Sequence, residues 1–69
     1  MHEFEISDKG YIELNKLLKV LGLVETGGEA NIRVDNREVK VNGTVETQRR
    51  KKLRPGDVVL YKKESIKII

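Results

Sequence analysis

Five basic side chains fall within six residues, at Arg49, Arg50, Lys51, Lys52 and Arg54, and nothing acidic lies between Glu46 and Asp57. A guanidinium can hold a phosphate through two parallel N–H bonds, and an ammonium acts on it as a point charge. The chemistry on offer is therefore contact with a polyanion. A solubilising loop is the plain alternative, and charge alone leaves both open. Lys16, Lys19, Arg33, Arg37 and Lys40 could extend such a patch over helix faces and a hairpin strand. Taken singly, each could equally be a solvated face of an amphipathic element. Arg33 and Arg37 are the stronger candidates of the five, because arginine suits backbone recognition. Lys62, Lys63 and Lys67 read instead as edge-strand charges that discourage aggregation.

Other chemistries find little support. Cysteine is absent, so disulfides and thiolate metal sites are excluded, and the one histidine, His2, sits at an end expected to fray. Ser7 and Ser65 lack a histidine partner, and neither the GxxxxGK[ST] nor the GxGxxG phosphate motif occurs. No catalysis, cofactor or metal is expected. Aromatic residues are Phe4, Tyr11 and Tyr61 alone. Readers of single strands stack bases on several exposed rings, so shape and backbone recognition fits better. Gly27-Gly28 at a helix start could offer N–H groups to a phosphate, but tight packing of that turn on a sheet explains them more simply.

The charge has a direction. Residues 1–35 carry four basic and seven acidic side chains, while residues 36–69 carry ten basic and four acidic. The halves therefore differ by nine units, −3 against +6, which points to a directional field and an anionic partner. At 69 residues the chain forms one small domain, and no stretch approaches the length of a membrane span. The N-terminal residues lack the basic-then-apolar pattern of a secretory signal, so a cytoplasmic location is the expectation.

The elements that must position these groups can be read in order. Glu3 to Ser7 alternates as a half-buried strand, Asp8-Lys9-Gly10 is a turn, and Tyr11-Ile12-Glu13 is expected to pair back. Asn15 can cap a short helix whose Leu14, Leu17, Leu18 and Leu21 share a face, and Gly22 fits its left-handed end. Thr26 and Glu29 match a capping box for a second helix over about Gly27 to Val34. Asn42-Gly43 predicts a type I′ hairpin between Val39-Lys40-Val41 and Thr44-Val45-Glu46. Arg54-Pro55-Gly56-Asp57 predicts a type II turn. Val58 to Tyr61 and Ser65 to Ile69 read as the last strands. The sum is an α+β domain: two short helices on a small, mainly antiparallel sheet.

The set Ile12-x-Leu14-Asn15-Lys16-Leu17-Leu18, Gly22-Leu23, Glu29-Ala30, Val39-Lys40-Val41-Asn42-Gly43 and Pro55-Gly56-Asp57-Val58 resembles the RNA-binding domain named after small-subunit ribosomal protein S-four. The phrases from Gly22 to Ala30 and from Val41 to Lys52 are similar to small stand-alone bacterial members of the YaaA/YbcJ type. The resemblance covers about Glu3 to Tyr61.

That resemblance implies two helices (the αL motif) packed on a twisted sheet, binding structured RNA through its backbone. Ribosomal RNA is the first candidate, which would make the protein ribosome-associated, and a monomer is expected. Relatives usually carry basic residues at the start of the signature helix. Here Thr26 to Asn31 holds no cation before Arg33, which leaves backbone N–H groups or Arg49 to Lys52 as substitutes. Two rivals remain: a protein-interaction or assembly module using the acidic half, and a DNA-binding accessory domain.

Overall fold

The computed structural model describes residues 2–6 and 10–69. Among the described residues, seven strands and two helices follow one another as β1 (His2–Phe4), β2 (Ile12–Glu13), α1 (Leu14–Val20), α2 (Gly27–Asp35), β3 (Val39–Val41), β4 (Thr44–Val45), β5 (Lys52–Leu53), β6 (Val58–Tyr61) and β7 (Glu64–Ile68). The main sheet has the order β1-β7-β6-β3-β4, and β2 and β5 form a separate two-stranded ladder.

Alternation decides what faces the helices. The register sets Val41, Val59 and Ile66 in one row and Val39 opposite Tyr61 in the next; all five are buried. Between those rows runs Lys40, Leu60 and Ser65, with Lys40 and Leu60 exposed on the opposite face. Leu14, Leu17 and Leu18 of α1 and Ala30 and Val34 of α2 close the core from the helix side, each fully buried. Each such leucine contributes roughly 1.5–3 kcal/mol on leaving water.

Both helices end in the same way. Gly22 N–H donates to Lys19 O at 3.0 Å and Leu23 N–H to Leu18 O at 3.1 Å, with Gly22 at φ +74°. Arg37 N–H donates to Val34 O at 3.0 Å and Glu38 N–H to Arg33 O at 3.1 Å, with Arg37 at φ +62°. These are Schellman motifs, one closed by glycine and one by arginine.

Several expectations need correction. Asn15 does not cap α1; Glu13 stands at that position and its side chain makes no cap bond. Tyr11 to Glu13 does not pair back on the first strand, because Ile12 and Glu13 pair with Leu53 and Lys52. Strand β1 runs parallel to β7, and the ladder continues through Ile6 N–H to Ile69 O and Ile69 N–H to Phe4 O. That pairing covers one edge of β7 and holds His2, whose Nε2 lies 2.6 Å from Glu64 Oε2, so His2 is not frayed. It also makes β7 an interior strand, so Lys67 is not an edge-strand charge, and Lys62 and Lys63 lie in the turn between β6 and β7, both interior strands. The expectations for Ser7, Asp8 and Lys9 lie outside the described residues.

Candidate functional site

The basic segment is docked by its own backbone. The first N–H groups of a helix have no partner within it. In α1 they are satisfied from the segment: Leu14 N–H donates to Lys51 O at 2.9 Å and Asn15 N–H to Arg49 O at 3.0 Å. This is why α1 starts without a side-chain cap. Asn15 is released for another task, and its amide donates to Asn31 Oδ1 at 3.1 Å, tying α1 to α2. Leu53, fully buried, anchors the far end of the segment through the β2–β5 ladder. With the carbonyls of Arg49 and Lys51 turned toward α1, the side chains of Arg49, Arg50 and Lys52 are exposed.

Two of the nominated arginines are engaged by carboxylates. Arg49 Nε donates to Asp35 Oδ1 at 3.0 Å and its Nη2 to Oδ2. The Arg49 guanidinium holds the Asp35 carboxyl below its ordinary range. Arg33 lies between Glu29 and Glu38, with both contacts at 3.3 Å, and its Nε is buried with no partner among the described residues. Its bond to Glu38, then that to Glu29, push the guanidinium pKa further up.

The remaining cations fall into three places. Lys16 and Lys19 are exposed on α1 and, with Glu13, Asn15 and Gly27, line an open groove of about 220 Å³. Lys52 Nζ sits 5.0 Å from the centre of the Tyr11 ring and Arg54 Cζ 5.8 Å from it, so Tyr11 collects two cations on a half-buried ring. Arg50 is exposed, and Lys51 is half-buried with its charge felt at Asp57. Arg37 stands exposed beyond the end of α2. Lys40 points from the sheet face away from the helices, so the fold does not bring it together with Lys16 and Lys19.

The turns are more tightly built than the sequence suggests. Asn42 and Gly43 both have positive φ, as the type I′ reading requires. Asn42 donates through its amide to Asp57 Oδ1 at 3.0 Å and accepts from Val58 N–H at 2.9 Å, joining two turns far apart in sequence. Partial burial pulls the Asp57 pKa up, but the Arg54 N–H, the Asn42 amide and the Lys51 and Arg54 charges outweigh it, leaving it lowered.

At the start of α2, Thr26 Oγ1 accepts from Glu29 N–H at 3.0 Å. Glu29 reaches back to Glu25 N–H at 2.9 Å, one residue before the expected partner, and that bond is the main cause of its lowered pKa. The packing explanation for Gly27-Gly28 fails. A Cβ on Gly27 would meet nothing within 4 Å, and one on Gly28 only Thr26 Oγ1 at 3.8 Å.

Known proteins share this fold. The S4 domain family matches residues 4–69. YbcJ of Escherichia coli is 35% identical over 69 residues, covering 100% of this chain and 99% of that protein, and YbcJ of Shigella flexneri matches to the same extent. The solution structure of Escherichia coli YbcJ, described as revealing an αL motif involved in RNA binding, superposes with a TM-score of 0.75 over 100% of this chain and 87% of that one.

Proposed function

Because this chain belongs to the S4 domain family, we propose that it binds structured RNA, with ribosomal RNA the first candidate, through phosphate contacts from a basic face. The face is centred on Arg50, Lys51, Lys52 and Arg54, with Lys16 and Lys19 on the neighbouring helix. Arg49 forms its margin, where Asp35 fixes its position, whereas Arg33, held by Glu29 and Glu38, and Arg37 and Lys40 stand apart from it.

The observation that carries this reading is the docking of the segment on α1. Leu14 and Asn15 bind the carbonyls of Lys51 and Arg49, so the density of charge is held on a rigid frame. Phosphate contacts position a protein on nucleic acid without reading sequence. The scarcity of exposed rings agrees with such a mode, since Tyr61 is only 2% exposed and Tyr11 is occupied by Lys52 and Arg54. The action is binding, not catalysis, in a protein expected to act as a cytoplasmic monomer on the ribosome or its RNA.

The test is a triple variant, Arg50→Gln, Lys51→Gln and Lys52→Gln, in which none of the substituted side chains makes a hydrogen bond among the described residues. Affinity for a ribosomal RNA fragment should fall at least ten-fold while urea unfolding stays cooperative. Unchanged affinity would remove this segment from the interface.

A further inference from the structure

Two local motifs occur twice in this chain, once with the residue the backbone prefers and once with a cation in its place. The Schellman motif ending α1 puts Gly22 in the left-handed position, and the one ending α2 puts Arg37 there at φ +62°. The two-residue hairpin β3–β4 turns on Asn42-Gly43, both at positive φ, whereas the two-residue hairpin β6–β7 turns on Lys62-Lys63, where Lys62 alone is in the left-handed region, at φ +54°. A side chain with a Cβ is disfavoured in this region, and asparagine and glycine are the usual occupants. Backbone held in a sparsely populated region is a recognised mark of functional sites.

The two exceptions converge. Val39 pairs with Tyr61 at the last rung of the β3–β6 ladder. Arg37 precedes Val39 by two residues and Lys62 follows Tyr61 directly, so both lie at the same end of the sheet, with Lys63 beside them. All three are exposed. Local carboxylates are already engaged: Glu29 and Glu38 by Arg33, and Glu64 by His2. Arg37, Lys62 and Lys63 make no ion pair among the described residues. Lys62 Nζ rests 5.4 Å from the centre of the Tyr61 ring, which fixes its direction.

We infer that Arg37, Lys62 and Lys63 form a second phosphate-binding patch, distinct from the 49–54 segment, that carries the RNA backbone onto the end of the sheet. The inference rests on the RNA-binding reading above and extends it to residues outside the helix pair.

The experiment is a salt titration of binding to a fluorescein-labelled RNA stem-loop, with thermal melts on the same samples. It compares the natural chain, the double variant Arg37→Asn with Lys62→Asn, and the 50–52 triple variant. Asparagine tolerates the left-handed backbone, so the double variant should melt at the same temperature or higher. Its Kd should rise about ten-fold and its salt slope should become shallower by about two. A melting temperature that holds or rises with affinity and slope unchanged would overturn the patch. If the triple variant alone weakens binding, the patch fails and the RNA reading stands. If the natural chain shows no salt-dependent binding at all, both fail together.

Discussion

Asp35 holds Arg49 at two points, Oδ1 on Nε at 3.0 Å and Oδ2 on Nη2. The same Arg49 lends its carbonyl to the first turn of α1. One residue thus joins both helices to the basic segment, its side chain to the end of α2 and its backbone to the start of α1. A carboxylate and a phosphate bind a guanidinium fork in much the same way. Asp35 therefore occupies the position a phosphate would take on Arg49.

Replacing that carboxylate should expose the competition. Asp35→Asn frees the guanidinium and removes one repelling charge. RNA affinity at low salt should tighten by several-fold, and the salt slope should steepen by about one. The melting temperature should fall slightly, since an exposed pair contributes little to stability. Anisotropy titrations at several salt concentrations check this, and weaker binding would mean that the clasp is needed to present the segment.

Leu53 tests the anchoring. It is fully buried in a strand of two residues, one position after the run of four cations. Leu53→Ala should cost about 2–5 kcal/mol, a large part of what so small a domain possesses. Urea unfolding reads the loss. A cost near zero would show that the β2–β5 ladder does not hold the segment.

Acid should destabilise the fold through three carboxylates. Glu29, Asp35 and Asp57 all have pKa values lowered in the folded chain. Groups shifted this way add stability that is fully present above their unfolded pKa of about 4 and is lost as pH falls through the lower folded values. The urea midpoint should therefore be flat from pH 7 to about 5 and decline below about 4. Asp57→Asn should flatten part of that decline, and a midpoint that rises on acidification would contradict the sign.

What could be read from the sequence was local. Gly22, Asn42-Gly43, Thr26 and Pro55-Gly56 name their own geometry, because each answers a demand of the backbone within a few residues. The buried face of α1 followed from leucine spacing for the same reason. Pairings between distant segments were not legible. Ladders as short as β2–β5 carry no alternation, and the parallel match of β1 with β7 joins opposite ends of the chain. Asn15 showed the limit clearly: a good capping residue lost that role once distant carbonyls arrived to do it. In the candidate site the density of charge was visible, but its division was not. Only the folded arrangement separates Arg33 and Arg49, engaged by carboxylates, from Arg50, and turns Lys40 to the opposite face. Lys62 and Lys63 read as edge-strand charges because the order of strands, which decides where an edge lies, is not legible in the sequence.

The most direct measurement is the salt dependence of binding to a structured ribosomal RNA fragment, run beside a DNA duplex of matched length. Neutralising ~4 to 6 phosphates predicts that log affinity falls with log salt at a slope of roughly −3 to −5. Binding to the RNA should be tighter than to the DNA. A slope near zero, or equal weak binding to both, would contradict recognition of an RNA backbone by this face.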